Sequence, residues 1–236
     1  MSSLQAAFER LDEFVDMCMR AEAIPGVALA LTDRDALLHL ACYGYADVGA
    51  GTPVRPETLF EIGSISKSFT SAALMQLREA GLVDVHRPVT DYLPWFEVQS
   101  KYDPITLHHL LSHTAGLPHG AEHTTEARGA VWELRQMEAP SPPGEHFYYS
   151  NEGYKVLGLV LEEVLGQPYG AIIQDRLLDP LGMAAADPVI THETRRRMAV
   201  GYQRFYDDRP CPTPPPRRPP PRVPTRPRGR GPPPPG

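Results

Sequence analysis

The chain has 236 residues, 42% of them hydrophobic and 22% charged, with three cysteines and a formal net charge of −6. That length allows one sizeable core or two small lobes, and excludes a disulfide mini-scaffold or a fibrous repeat. No apolar run approaches the roughly 18 residues of a membrane span, and Cys18, Cys42 and Cys211 are too scattered for a disulfide framework or a CxxC metal site.

The start, Met1 to Arg10, has no cationic segment followed by an apolar one. The expected location is therefore cytoplasmic, or secreted or periplasmic if the true start lies upstream. Residues 4–22 place Leu4, Phe8, Leu11, Val15, Cys18 and Met19 at spacings of three and four, which predicts an amphipathic helix stopped by Pro25-Gly26. Val27–Thr32 and Leu37–Tyr45, separated by Asp33-Arg34-Asp35, predict a hairpin buried on at least one face. Ser64–Ala80 is helical in pattern, and its middle, Phe69–Met75, is apolar or small on nearly every side, as suits an interior helix. Residues 82–104 are irregular. Thr106 caps a short helix through His113, and further helices are expected at 125–137, 152–165 and 168–178. A hairpin followed by a long helical stretch indicates an α+β protein, or the first part of an α/β one.

The segment Phe60-Glu-Ile-Gly-Ser64-Ile-Ser-Lys67 carries the chemistry. Three residues apart on a helix, Ser64 and Lys67 share a face. A serine hydroxyl is a weak nucleophile until a neighbouring group takes its proton, and a lysine with a lowered pKa serves. The helix start adds N–H donors and a positive dipole end. Gly63, just before the serine, is expected to permit a tight approach and a sharp entry into the helix. The competing interpretation is a capping serine near a surface lysine. A second piece, Tyr149-Ser150-Asn151, offers a phenol that a nearby ammonium shifts down and an amide that both donates and accepts. Taken alone, it better suits a packing aromatic followed by an asparagine cap for the next helix.

Together with Ile105–Pro118, Pro143–Asn151, Pro180–Met183 and Ala199–Tyr202, these motifs make residues 1 to about 205 resemble the serine β-lactamase-related family. That family includes class C β-lactamases, DD-peptidases and related esterases. The resemblance implies a β-lactamase/transpeptidase-like α+β fold, with an antiparallel sheet flanked by helices and a helical lobe. It implies that Ser64 is acylated, that Lys67 and Tyr149 move protons, and that Asn151 holds a substrate amide. The substrate is then a β-lactam, a D-amino-acid peptide or an ester, and neither cofactor nor metal is required. The family's third motif, Lys/His-x-Gly, has no candidate here: Lys155 is followed by Val-Leu-Gly within a predicted helix, and His119-Gly120 has the wrong spacing. The missing oxyanion donor would cost roughly 10²–10³ in rate, and the hairpin would lack neighbouring strands. The expectation is a domain of residues 1–209 truncated at its C-terminal side, with compromised folding and little turnover.

Residues 210–236 are a different material. They hold 14 of the 27 prolines, and their six charges are all arginines, which leaves 17 basic against 29 acidic side chains in 1–209. Such a segment is expected to be disordered with polyproline II character. It suits a ligand for a proline-binding domain, a weak nucleic-acid contact, or translation in a shifted frame; the abrupt change favours the last, and no nucleic-acid partner is expected. Two rival functions stand beside the hydrolase. His109 and His113 at i, i+4, with His119 and His123 nearby, suggest a metal site, although HExxH is absent. A non-catalytic penicillin- or peptidoglycan-binding protein of the same fold is the other. The sequence has no GxGxxG, GxxxxGK or GxSxG motif, which disfavours nucleotide enzymes and α/β-hydrolases.

Overall fold

The structure, a computed structural model, describes residues 3–118, 126–203 and 226–228. They divide into two compact units: one comprises the chain up to Glu61 and from Thr191 onward, the other Ile62–Ile190.

In the first unit the amphipathic pattern forms α1 (Ser3–Glu22), followed by β1 (Gly26–Thr32) and β2 (Leu37–Asp47). The strands pair antiparallel from Gly26↔Gly44 to Thr32↔Leu37. Asp33 closes the turn by accepting from the Asp35 and Ala36 N–H groups at 2.8 and 2.7 Å, an Asx turn. Gly44 has φ +66°, and a Cβ there would lie 2.2 Å from the Pro25 carbonyl oxygen. Only glycine fits that crossing. A short third strand, β3 (Thr52–Pro53), pairs with β2.

α1 covers one face of this sheet. Phe8 stacks on His39 at 4.6 Å. Asp12 accepts from His39 Nε2 at 2.8 Å and from the Tyr43 hydroxyl. The hairpin is thus half-buried as expected, but Leu37, Leu38 and Leu40 are exposed. Leu59 bridges to Met198, just after a short helix from His192 to Arg197 that is capped by Thr191. Gly201–Gln203 then pairs with Arg226–Arg228. These three tail residues form a short strand; the rest of the expected proline-arginine tail lies outside the described residues.

The second unit is helical. Gly63–Ile65 is a turn of 3₁₀-helix leading into α2 (Ser66–Glu79). α2 is not apolar all round, contrary to expectation: it buries one stripe, Thr70, Ala73, Leu74 and Leu77, while Ser68, Ala72, Arg78 and Glu79 are exposed. A small side chain such as Ala72 suits an interior as well as a surface, so composition alone overstates how much of the helix is buried. α3 (Leu107–Leu111) is shorter than predicted, and α4 (Ala127–Glu133) continues as 3₁₀-helix through Gln136. Residues 82–104 are irregular apart from a 3₁₀ turn at Val89–Asp91.

α5 (Asn151–Leu165) is the centre of the unit and packs against α2, α3, α4 and the following α6 (Tyr169–Ile173). Ser150 caps it by accepting the Gly153 N–H at 3.0 Å, and Gly166 ends it with φ +64°. Its Val156, Leu157, Val160 and Leu161 are wholly buried with Leu74, Leu77, Leu107 and Leu110. Each such leucine contributes roughly 1.5–3 kcal/mol of burial. The core therefore fixes α5 against α2, which is what sets the site.

Candidate active site

Two short segments meet. Ser64 lies in the 3₁₀ turn before α2, Lys67 in the first turn of α2, Tyr149 just before the Ser150 cap of α5, and Asn151 at the start of α5. All four belong to the Ile62–Ile190 unit. Lys67 Nζ donates to Ser64 Oγ at 3.2 Å and to Asn151 Oδ1 at 2.8 Å. The Tyr149 hydroxyl donates to Ser64 Oγ at 2.5 Å. The serine oxygen is therefore bracketed by an amine and a phenol, and it is open to solvent.

Local chemistry explains the arrangement. Gly63 has φ +53°, and a Cβ there would meet nothing within 4 Å. Its role is conformational: the left-handed backbone turns Ser64 into the helix, the sharp entry expected of it, while the tight approach also expected is not involved. Tyr154, on α5, donates its hydroxyl to the Leu111 carbonyl at 3.1 Å and lies 3.1 Å from Ser71 Oγ. One phenol thus ties α2, α3 and α5 together behind the cluster.

Lys67 Nζ is 4.7 Å from the Tyr149 ring centroid and 5.6 Å from that of Tyr154. The ammonium, and next the hydrogen bond with Ser64, hold the Tyr149 phenol below its ordinary pKa. Burial, and then the Lys67 charge, push His113 below the ordinary histidine range.

The sequence alone suits His113 as a helix-end residue or as a metal ligand beside His109. In the structure α3 stops at Leu111, and His113 follows it with φ +57°. The two histidines do not share a helical face. His109 Nδ1 accepts the Thr106 N–H at 3.2 Å, completing a capping box, while His113 Nδ1 accepts the Ser150 N–H at 3.1 Å. Among the described residues no three His, Cys, Asp or Glu side chains converge on a metal position. His119 and His123 lie outside the described residues.

Beside the cluster is a cavity of about 600 Å³, lined by Lys67, Thr70, Asn151, Glu152, Tyr154 and Tyr169 among others. Thr70 Oγ1 and the Tyr169 hydroxyl are 2.8 Å apart across its wall. Ser64 and Tyr149 do not line it. Lys155 lies within α5, 3.9 Å from the buried Glu152 carboxylate, so the Lys155-Val-Leu-Gly sequence is helix and not a sheet strand.

Known proteins give an independent comparison. The family model described as Beta-lactamase matches residues 11–227. Penicillin-binding protein 4* of Bacillus subtilis is 31% identical over 191 residues, covering 76% of this chain and 40% of that protein. Among solved structures, the octameric penicillin-binding protein homologue from Pyrococcus abyssi superposes with a TM-score of 0.74 at 29% identity, covering 83% of this chain and 48% of that one. A class C beta-lactamase in complex with cefoxitin gives 0.76 at 26% identity, with 85% and 56% covered. The chain spans about two fifths of the length of the curated relatives it matches. Among the described residues no single helix is long and apolar enough to cross a membrane.

Proposed function

Because this chain belongs to the Beta-lactamase family, we propose that its site performs acyl transfer from an amide or ester to Ser64. The observation that carries the proposal is the bracketing of Ser64 Oγ by Lys67 Nζ at 3.2 Å and the Tyr149 hydroxyl at 2.5 Å. Both lie within reach of the proton that must leave the serine.

In the resting arrangement the phenol donates to Ser64. For attack the phenol or the ammonium first gives up its own proton to solvent, and the Ser64 proton then passes to the resulting Tyr149 phenolate or neutral Lys67 amine. The Ser64 oxygen then bonds to the substrate carbonyl carbon. As the tetrahedral adduct collapses, the C–N or C–O bond breaks and the leaving group takes the proton back. Water later cleaves the serine ester. The start of α2 presents backbone N–H groups and a positive dipole end where negative charge develops. Asn151 has its oxygen engaged by Lys67, so its NH₂ faces the substrate's amide carbonyl. β-Lactams with an acylamino side chain and D-amino-acid peptides present such an amide; a simple ester presents only the carbonyl that Ser64 attacks.

Incubation of the pure chain with a fluorophosphonate and with a fluorescent penicillin tests this. The expected result is a single covalent label on Ser64, absent from Ser64→Ala. Penicillin labelling without turnover would favour the penicillin-binding alternative, in which acylation is retained and hydrolysis is not. Failure of both probes to mark Ser64 overturns the acyl-transfer proposal.

A further inference from the structure

The backbone at His113 occupies the left-handed region, φ +57°, a conformation uncommon for a residue with a side chain. At the end of a helix that position ordinarily falls to glycine. Here the side chain and the carbonyl both have work. The His113 carbonyl accepts the Tyr148 N–H at 2.7 Å. Its Nδ1 accepts the Ser150 N–H at 3.1 Å. Between those two bonds, the imidazole stacks on the Tyr149 ring, with centroids 4.5 Å apart and planes 28° from parallel. One histidine holds three consecutive residues, and the middle one carries the phenol that touches Ser64.

We infer that His113 is the positioning residue for Tyr149, holding the phenol against Ser64 and doing so only as a neutral imidazole with its hydrogen on Nε2. The inference rests on the proposed role of Ser64 and Tyr149. Its chemistry follows from the acceptor role of Nδ1: a nitrogen that accepts the Ser150 N–H carries no hydrogen. On protonation two donors would face each other, and the ring would lose its hold on Ser150 while the carbonyl kept Tyr148. The groups facing the ring are Lys67 from α2, Phe147 and Tyr149 from the segment before α5, and Tyr154 from α5 itself. Of these Lys67 is the charged one, and its ammonium opposes a second positive charge.

A plain helix-ending role makes the opposite demand on substitution. Glycine is at ease at this φ, so His113→Gly relieves the backbone while removing both ring contacts. In the full chain we expect His113→Gly to keep or raise the thermal midpoint, yet to slow fluorophosphonate labelling of Ser64 by about ten- to a hundredfold, the scale of a displaced catalytic group. His113→Asn, which tolerates the left-handed region and offers a short acceptor, should recover part of the rate. In the parent chain labelling should fall as the pH drops through a midpoint below about 6.5, and this limb should be missing from both variants. A second measurement is the ultraviolet titration of the Tyr149 phenol, taken as the difference between each chain and its Tyr149→Phe counterpart. It should move up toward the ordinary value of about 10 in His113→Gly. Labelling at the parent rate with an unmoved phenol titration would overturn the inference. Ser64→Ala separates the two claims: if it still takes the probe the nucleophile assignment fails, and the phenol titration alone decides the positioning.

Discussion

The ammonium of Lys67 lies closer to Asn151 Oδ1, at 2.8 Å, than to the Ser64 hydroxyl it faces, at 3.2 Å. The amide therefore steers the lysine as well as facing outward. Removing it in Asn151→Ala frees a flexible four-carbon chain from one of its two acceptors. A hydrogen bond to a charged group contributes about 1.5–3 kcal/mol when buried, and this one is open to solvent, so the low end applies. Ser64 labelling should slow by about tenfold, with little change in the thermal midpoint. An unchanged rate would show that Lys67 is held by Ser64 and the neighbouring rings alone.

The pH dependence of labelling should follow Tyr149. Its phenol is held below the ordinary value by Lys67 first and Ser64 second. The competent base is the deprotonated form, so the rate should rise with pH and reach half its plateau below about 10. In Tyr149→Phe this rising limb should vanish. A midpoint at or above the ordinary phenol value would show that Lys67 gives Tyr149 no help.

Stability should report the Asp12 clip in the other unit. The Tyr43 hydroxyl first, and then His39, hold the Asp12 carboxyl below its ordinary pKa. A depressed carboxyl stabilises fully above its unfolded value of about 3.9, and the contribution fades as pH falls through the folded value. Tyr43 is pushed up to about 12 by burial and then by Asp12. Its contribution is complete below about 10, the unfolded value, and fades as pH rises through about 12. Urea midpoints should therefore fall at both extremes in the parent chain. Asp12→Asn should flatten the acid side, and an identical acid profile in that variant would remove the clip from the account.

Two core and turn substitutions gauge the scaffold. Leu157 is fully buried in α5, and Leu157→Ala should cost about 2–5 kcal/mol in denaturant unfolding. Gly63→Ala creates no clash, because nothing lies within 4 Å, but it forces a left-handed alanine at a cost of about 1–2 kcal/mol. It should also slow Ser64 labelling by tilting the serine. A neutral Gly63→Ala would mean the turn has another comfortable conformation.

Much of this is legible in the residues. The three-residue step from Ser64 to Lys67 predicts a shared face because helical periodicity is local, and the contact is present. Thr106 as a cap, and the stops at Gly81 and Gly166, follow from turn chemistry that acts within a few residues. The placing of Tyr149 and Asn151 near the serine comes from the family resemblance, because nothing local links residues 64 and 149. What stays hidden depends on long-range packing. No spacing indicates that His113 leaves the helix, turns left-handed and meets Tyr149, or that Tyr154 ties three helices with one hydroxyl. α3 falls short of its predicted length for the same reason: His113 is an acceptable helix residue until its partner, the Ser150 N–H, is known.

The cluster draws all its members from the unit between Ile62 and Ile190. Proteins open piecemeal, and frayed ends exchange and are nicked long before a central helix gives way. Protease trimming of α1 would then leave the serine's neighbours in register. Its chemistry would die with the melting of α5, not with the loss of the termini.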